Sequence, residues 1–429
     1  MSLPLSYDFT RLLTRILNAT PNGIDRVDLA YAEKFLADPD GAPAVVHMGS
    51  LGHRAFPRRH VYKAISRIND HLGEISPRDD TSRLWAIEAW ISGRSEKPES
   101  CFAPERISVF KNLYQKISYG RVAGFHLSAL GGFGQNPTRV LPQGSRYLCV
   151  SQYPLSVTGA YSWLQKRPDI KPVFFIHDLL PFRFPEYFRK AELNRQQIRM
   201  DNLVRHAAAA LVSTKAVADE LRAEMHKRGR REFPVHLAPM PLAAAFAAPV
   251  VGMSASAPYF VMCGTIEPRK NHLTLLHVWR DLAAQYGPRT PKLVLVGARG
   301  WENENILDLL DRGPAMREHV LEVNGLSTID LGKLMAGARA LIMPSFGEGY
   351  GLPVAEALAL GVPVIASDIP VFHEVAGQNF TAIDPIDGRG WRDAVESACF
   401  ASNPRRFSQP PTLSPQTDFA ALSALLNEI

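Results

Sequence analysis

The stretch Ser345-Phe-Gly-Glu-Gly-Tyr-Gly-Leu-Pro-Val-Ala-Glu-Ala-Leu-Ala-Leu-Gly361 decides the fold of this chain. It follows the apolar run Ala340-Leu-Ile-Met-Pro344, which predicts a buried strand. Pro353 suits the first turn of a helix, and Gly361 suits the position just past its end. The sequence therefore predicts a strand, a glycine-rich loop and a helix, which together are the repeating unit of a parallel sheet.

Two carboxylates in this stretch are candidates for ligand binding. Glu356 is the only polar side chain of the predicted helix. It needs a partner, because burying an unpaired carboxylate is costly. Glu348 lies in the loop among three glycines, which let the backbone come close to a ligand. Carboxylates placed around a glycine loop at the end of a strand suit the hydroxyl groups of a nucleotide sugar.

A second motif, Gly264-Thr-Ile-Glu-Pro-Arg-Lys-Asn271, follows the predicted strand Tyr259–Cys263 and precedes an amphipathic helix pattern. Asn271 is a good residue to cap that helix. Arg269 and Lys270 then lie just before a helix N-terminus, where the dipole and the unpaired N–H groups favour anions. The pattern indicates a diphosphate site. A solvated basic turn with an ordinary cap is the alternative.

Size and composition fit an α/β protein of two domains. The chain has 429 residues, of which 46% are hydrophobic and 21% are charged, and its net charge is +6. The sequence shows no nucleic-acid motif, no apolar run long enough for a membrane span and no signal-peptide pattern. Four well-separated cysteines predict buried free thiols. These features favour a cytoplasmic protein with an anionic substrate or an anionic membrane surface as its partner.

Strand-like runs alternate with helical patterns, which predicts doubly wound parallel sheets. The predicted strands are Pro43–Met48, Tyr147–Ser151, Val173–Ile176, Ala209–Ser213, Val235–Ala238, Tyr259–Cys263, Leu293–Val296, Leu321–Val323, Ala340–Met343 and Val362–Ala366. Between the halves, Pro241–Pro258 is rich in Ala and Pro and predicts a linker. We therefore expect a first domain over residues 1–245, a second over 246–402, and a tail over 403–429 that either packs back on the first or is loosely held.

The two motifs, together with Gly361-Val-Pro-Val-Ile-Ala-Ser367, closely resemble the retaining glycosyltransferases of family four, especially their bacterial mannosyltransferase branch. The resemblance is dense over Tyr259–Asp384 and thinner before it. In the first half, Thr20-Pro-Asn-Gly-Ile-Asp-Arg-Val27 resembles a glycine loop that approaches the donor phosphates, and Phe175-Ile-His-Asp-Leu-Leu-Pro181 resembles a strand-end histidine segment. The resemblance implies the GT-B fold, in which two Rossmann-like domains face each other across a cleft.

The resemblance also implies roles for individual residues. Glu348 would bind hydroxyls of the transferred sugar, and His177 would lie near the reacting carbon. A larger set would bind the nucleoside diphosphate and sugar: Gly23, Arg26, Arg269, Lys270, Gly349, Tyr350, Gly351 and Glu356. The substrates would be a nucleotide sugar, with GDP-mannose as the expected donor, and a lipid-linked glycan that grows into a polysaccharide or lipopolysaccharide.

The sequence departs from the family at Thr265, where many relatives carry an arginine. Arg269 or Arg26 would then have to supply the missing charge. A metal-dependent enzyme would show Asp-x-Asp at a strand end, but Asp38-Pro-Asp40 precedes a strand and predicts a turn. We therefore expect no metal cofactor, with cations and a helix dipole in its place.

Several alternatives stay open at this stage. His177 is either functional, at an exposed strand end, or a core histidine bonded to backbone. The basic and bulky stretch Arg54–Ile68 is either a dock for anionic lipid or a solvated helix face. A UDP- or dTDP-sugar is an alternative donor, and a nucleotide-sugar epimerase or a non-catalytic glycan-assembly subunit is an alternative function.

Overall fold

The computed structural model of this protein describes residues 3–15, 23–63, 65, 82–98, 130, 132–247, 250–400 and 419–429. The chain divides into two compact units. The first combines Met1–Ile75, Ile107–Pro241 and Ser414–Ile429, and the second combines Ser76–Arg106 and Leu242–Leu413. Each unit is built on a parallel sheet of its own.

The strands of the first unit are short, and most of their residues are buried. They are β1 Leu5–Tyr7, β2 Ala44–His47, β3 His53–Phe56, β4 Arg146–Cys149, β5 Lys171–Ile176, β6 Ala209–Val212 and β7 Val235–Leu237. The strands of the second unit are β8 Tyr259–Cys263, β9 Lys292–Val296, β10 Val320–Val323, β11 Ala340–Met343, β12 Val364–Ser367 and β13 Thr381–Ile383.

Helices connect successive strands. They are α1 Thr10–Arg15, α2 Gly23–Phe35, α3 Ser82–Ile91, α4 Pro137–Val140, α5 Leu180–Arg183, α6 Lys190–His206, α7 Lys215–Lys227, α8 Ala244–Ala247, α9 His272–Tyr286, α10 Glu304–Arg312, α11 Pro314–His319, α12 Thr328–Gly337, α13 Leu352–Ala359, α14 Pro370–Ala376, α15 Gly388–Phe400 and α16 Phe419–Glu428. Residues 58–63 are helical as well. Among the described helices, none is both long and apolar enough to cross a membrane.

The sheet of the second unit runs in the order β10-β9-β8-β11-β12-β13, with every pair parallel. The chain starts in the middle at β8, builds outward to β10, and then returns to β11 on the other side of β8. This is the doubly wound order of nucleotide-binding folds, in which ligands bind at the carboxyl ends of the strands where the order reverses. The reversal lies between β8 and β11.

The sheet of the first unit runs in the order β1-β4-β5-β6-β7, again all parallel. A parallel bridge between Asp8 and Val45 sets β2 beside β1, and β3 pairs antiparallel with β2. Its core is rich in aromatic side chains, with Tyr147, Tyr161 and Phe174 fully buried. The core of the second unit contains two fully buried tryptophans, Trp279 on α9 and Trp391 on α15.

The α/β fold with parallel sheets is confirmed, and each strand predicted from the sequence is present to within two residues. Strands β1, β3 and β13, which are all short, were not predicted from the sequence. As predicted, Cys149, Cys263 and Cys399 are buried and form no disulfide bond, while Cys101 lies outside the described residues.

Two segments group differently from the predicted domains. Residues 82–98, including α3, belong to the second unit. Much of the predicted linker also packs there, because Phe246 of α8 is fully buried and Met253 donates its backbone N–H to Lys333. In the first unit, α16 packs beside α2, with the rings of Phe419 and Tyr31 centred 5.0 Å apart.

Candidate donor site in the second unit

The loop after β8 forms one half of the candidate site. Residues Pro268–Lys270 make a single 3-10 turn that leads into α9. Asn271 occupies the predicted capping position, but it adopts a left-handed conformation (φ 58°) and its side chain makes no capping bond. Its amide instead donates to the carbonyl oxygen of Pro385 at 2.7 Å. The N–H groups of the first turn of α9 are therefore not capped by Asn271.

The loop after β11 forms the other half. As predicted, it leads into a helix, α13, with a proline in the first turn and Gly361 (φ 70°) just past the end. Gly351 has a φ of 85°, and a Cβ atom there would lie 2.6 Å from the ring of Phe372. Only glycine fits both the backbone conformation and the space. The two loops are joined by the backbone N–H of Phe346, which donates to the carbonyl of Arg269 at 2.9 Å.

Buried ion pairs cross between the two loops. The Nζ atom of Lys270 lies 2.5 Å from Oε1 of Glu348, and Nη1 of Arg269 lies 3.2 Å from Oε2 of the same carboxylate. Arg269 also bonds to the carbonyl of Gly347 and to the carboxylate of Glu267, each at 2.5 Å. Burial alone would raise the pKa of Glu348, but Lys270 and Arg269 outweigh burial and lower that pKa to about 2. Glu348 is therefore ionised at neutral pH.

These four side chains carry two positive and two negative charges, so their sum is zero. We predicted from the sequence that Arg269 and Lys270 would be available for a diphosphate, but the structure pairs these cations with Glu348 and Glu267. An anion that binds Lys270 must therefore displace Glu348 or share the lysine with it. The released carboxylate can then accept hydrogen bonds from hydroxyl groups of the same ligand.

Glu356 lies on α13 and is only 1% exposed. Glu356 makes at least one interaction with the rest of the protein. Tyr350 is also buried, and burial raises its pKa to about 12. Gly349 is partly exposed. The ligand roles of these residues remain predictions.

Two further arginines, Arg83 and Arg299, bind groups near the carboxyl ends of β9 and β10 in the same sheet. Arg83 of α3 donates to the carbonyls of Asn324 and Gly325, at 3.3 and 3.2 Å. Arg299 follows β9 and binds the carboxylates of Glu322 and Asp311, with shortest distances of 2.7 and 2.5 Å. Sequence reasoning missed Arg83, because about 240 residues separate it from its partners and no local pattern links them.

In the first unit, His177 directly follows β5 at its carboxyl end, as predicted. It is 6% exposed, which agrees with the interpretation as a core histidine bonded to backbone and not with that of an exposed strand end. Its Nε2 lies 2.8 Å from the carbonyl oxygen of Val150, and its ring stacks on Phe175. Burial lowers its pKa to about 4, so the imidazole is neutral at pH 7. Its catalytic role remains a prediction, and Nε2 is committed to the backbone.

The other predicted residues of the first unit lie at a helix start. Gly23 is the first residue of α2, and Arg26 is partly buried in the first turn. Residues 20–22 of the predicted glycine loop lie outside the described residues. Asp38-Pro-Asp40 forms a turn, as expected, in which Asp38 accepts a bond from the backbone N–H of Asp40.

A family model described as Glycosyl transferases group 1 matches residues 249–398. The match contains β8 to β13 and both loops of the ion-pair cluster.

The second unit contains a glycosyl transferases group 1 domain.

Curated relatives resemble part of the chain. The chain is 32% identical over 232 residues to the serotype-specific mannosyltransferase WbdA of Escherichia coli, covering 50% of this chain and 28% of WbdA. It is 41% identical over 130 residues to the O-antigen chain mannosyltransferase B of Escherichia coli, covering 30% of this chain and 33% of that protein. It is 31% identical over 145 residues to the O-antigen chain mannosyltransferase RfbU of Salmonella typhimurium, covering 32% and 38%. The chain thus spans only about a third of these relatives.

Solved structures extend the likeness beyond the group 1 domain. Anabaena Alr3699/HepE, in complex with UDP and glucose, has a TM-score of 0.55 at 13% identity over 99% of this chain and 97% of that one. An α,α-trehalose-phosphate synthase (UDP-forming) from Burkholderia vietnamiensis has a TM-score of 0.54 at 14% identity over 91% and 92%. At such identity the likeness establishes the fold alone. The predicted GT-B class is confirmed.

Proposed function

We propose that this chain is a retaining glycosyltransferase that transfers mannose from GDP-mannose to a glycan acceptor without a metal ion. One observation carries the proposal. Lys270, Arg269 and Glu348 form a buried, charge-balanced cluster at the carboxyl ends of β8 and β11, where the strand order reverses. That edge of a doubly wound sheet is the usual place for a nucleotide.

The cluster suits both halves of a sugar diphosphate. Lys270 and Arg269 supply positive charge beside the first turn of α9, so the diphosphate meets two cations and a helix N-terminus together. As the diphosphate takes the lysine, Glu348 becomes available to the sugar hydroxyls. Glu356, buried four residues after the start of α13, is our candidate for the ribose hydroxyls.

The reaction we propose breaks the bond between the anomeric carbon and the diphosphate oxygen and forms a bond from that carbon to an acceptor hydroxyl. The proton of the hydroxyl passes to the departing diphosphate. Attack from the face that the diphosphate leaves would retain the anomeric configuration. The protein's contribution is electrostatic, because the cations stabilise the negative charge that develops on the leaving group. The same charge would make a metal ion unnecessary.

The assignment of the donor rests on the relatives. Three of the relatives that the chain resembles are named mannosyltransferases, two of them for the O-antigen chain. We extend mannose, and with it GDP-mannose, to this chain on that basis. By the same reasoning the acceptor would be a growing bacterial polysaccharide.

We also propose that the acceptor is lipid-linked and that the enzyme works at the cytoplasmic face of a membrane. Only part of the predicted basic stretch Arg54–Ile68 can face a membrane. Arg58 is excluded, because it is buried and donates to the carbonyls of Ala42 and Leu5. Arg59, Tyr62 and Lys63 are exposed, and their spacing sets them on one helix face. That face combines two cations with an aromatic ring, as interfacial helices do.

The experiment is a donor screen. We would incubate the protein with GDP-mannose, other GDP-sugars, UDP-sugars and dTDP-sugars, a polyprenyl-linked acceptor and EDTA, and identify products by mass spectrometry. We expect GDP and an extended glycan from GDP-mannose only, and NMR of the product should show the donor's anomeric configuration. Turnover with a UDP-sugar but not GDP-mannose would reject the donor. Activity that EDTA abolishes and Mg²⁺ restores would reject metal independence, and an isomerised donor without transfer would indicate an epimerase.

A further inference from the structure

Arg83 of the second unit has hydrogen-bond donors that the fold does not use. It is the second residue of α3, and its side chain is exposed. Its Nη1 donates to the carbonyl oxygens of Asn324 and Gly325, at 3.3 and 3.2 Å, in the turn that directly follows β10. A guanidinium has five N–H donors in a rigid planar fork. Nε and Nη2 of Arg83 donate to no described residue, so one edge of that fork is available to a ligand.

Arg299, the other arginine near the carboxyl ends of β9 and β10, has no such edge. All three of its guanidinium nitrogens donate to the carboxylates of Glu322 or Asp311. A ligand would have to break these charged bonds before it could bind Arg299, which is costly. Arg83, by contrast, can bind a ligand and keep its bonds to the turn after β10.

A surface without side chains connects Arg83 to the ion-pair cluster. Gly264, directly after β8, donates its backbone N–H to the last residue of β9 at 2.9 Å. Gly297, directly after β9, donates in the same way to the last residue of β10, also at 2.9 Å. A Cβ atom at Gly297 would overlap the carbonyl oxygen of Gly264, and one at Gly264 would lie 3.1 Å from Cε of Lys270. Lys270 therefore borders this surface at β8, and Arg83 borders it at β10.

The extent of this surface suits a nucleotide. Neighbouring strands lie about 4.8 Å apart, so the ends of β8 and β10 are separated by about 10 Å. A nucleoside diphosphate has its phosphates at one end and its base at the other, with the ribose between them. If the diphosphate binds beside Lys270, as proposed above, the base can extend over the glycines toward Arg83.

The available edge of Arg83 matches one base better than the others. Guanine presents two adjacent acceptors, O6 and N7, and an arginine can donate to both at once. Adenine has an amino donor in place of O6, which opposes an arginine. Uracil has no two adjacent acceptors on one edge. The pair Nε and Nη2 therefore favours guanine, because two parallel bonds form only with that pattern of acceptors.

We propose that Arg83 selects the base of the donor nucleotide, with Nε and Nη2 donating to O6 and N7 of guanine while Nη1 stays bonded to the turn after β10. The inference rests on the proposed function for the position of the diphosphate. It deepens that function by naming the side chain that distinguishes GDP from other nucleotides. Arg83 acts on specificity and takes no part in breaking the bond to the sugar.

Titration calorimetry of the full chain with GDP, IDP, ADP and UDP tests the inference. IDP keeps O6 and N7 but lacks the 2-amino group of GDP, so a comparison of IDP with ADP isolates the two acceptors. The wild type should bind GDP and IDP at least tenfold more tightly than ADP and UDP. Arg83→Ala should weaken GDP and IDP by about 10- to 100-fold, the scale of a bidentate arginine–guanine contact, and leave ADP and UDP unchanged.

Two further variants complete the test. Arg83→Lys keeps the charge but loses the fork, so it should not restore the affinity for GDP. Arg94→Ala is the matched control, because Arg94 is an exposed arginine just after α3 that pairs with Glu88 at 2.6 Å. It should bind all four nucleotides as the wild type does. Circular dichroism and the unfolding midpoint of each variant should match the wild type.

The outcomes separate this inference from the proposed function. A loss confined to GDP and IDP supports base selection by Arg83. An equal loss for all four nucleotides would mean that Arg83 only supports the turn, and it would overturn the inference. Unchanged GDP binding in Arg83→Ala, or a wild type without a preference for GDP and IDP, would overturn it as well. A chain that prefers GDP through Arg83 but transfers no sugar in the donor screen would reject the proposed function and leave the base contact standing.

Discussion

Replacing Glu348 by glutamine should strengthen nucleoside diphosphate binding while it abolishes sugar transfer. In the structure this carboxylate occupies the cations that a diphosphate needs, at 2.5 Å from Lys270 and 3.2 Å from Arg269. Glutamine keeps the shape and removes the charge. Transfer should be lost, because the carboxylate is our candidate for holding the sugar hydroxyls.

The magnitude follows from what the diphosphate must displace. A hydrogen bond to a charged group contributes about 1.5–3 kcal/mol to stability. Two unit charges about 4 Å apart interact by about 4 kcal/mol near a protein surface, before solvation is counted. The substitution removes only part of this interaction energy, since glutamine can still form a hydrogen bond with Lys270. We expect affinity to rise by about 1–2 kcal/mol, or about 5- to 30-fold.

Titration calorimetry with GDP and with UDP measures the effect, since both carry the diphosphate and neither carries the sugar. Glu396→Gln is the matched control, because Glu396 pairs with Arg392 at 3.2 Å on α15 of the same unit. The control should bind as the wild type does. If Glu348→Gln binds both nucleotides more weakly than the wild type, or equally, Glu348 does not compete with the diphosphate and our reasoning about the cluster is wrong.

Three further outcomes are expected. Glu356→Ala should weaken the binding of GDP by about 1–3 kcal/mol, the scale of a lost charged hydrogen bond. An unchanged GDP affinity in titration calorimetry would contradict a role for Glu356 in ribose binding. Arg59→Glu with Lys63→Glu should reduce co-sedimentation with anionic vesicles at low salt, and equal sedimentation would point to another surface. The pKa of Glu348 is lowered from 4.5 to about 2, so its ionised form contributes up to roughly 3 kcal/mol to the free energy of unfolding above pH 4.5. This stabilisation is lost as the pH falls toward 2. Lys270→Met should therefore be less stable than the wild type at pH 7, and the difference in their free energies of unfolding should be smaller at pH 3. If urea unfolding gives the same difference at both pH values, the pKa of Glu348 does not depend on Lys270 as we infer.

The framework of the second unit could be predicted from the sequence because its signals are local. Continuous apolar runs mark β8 and β11, and the prolines and glycines beside them mark where α13 begins and ends. The strands that were missed are short. β1 has three residues, Leu5–Tyr7, and its place in the sheet is set by pairing with β4, about 140 residues later. No local pattern encodes that pairing.

The residues of the candidate site were predicted from the sequence, but the pairing of its positive and negative charges was not. Arg269, Lys270 and Glu348 were identified from two motifs that are 78 residues apart, and the structure joins them. That the cations would already be neutralised depends on side-chain distances, which a sequence does not contain. His177 illustrates the same limit, because its position after β5 is local, whereas its burial against Val150 depends on tertiary packing.

The position of α16 has a consequence for the order in which the protein is made. This helix joins the first unit, where Leu422 and Leu426 are buried and the carbonyl of Leu426 accepts a bond from Arg146. A ribosome therefore releases every described residue of the second unit before it releases the last helix of the first. The apolar patch that α16 covers stays open until then, which makes the nascent first unit a natural client for a chaperone.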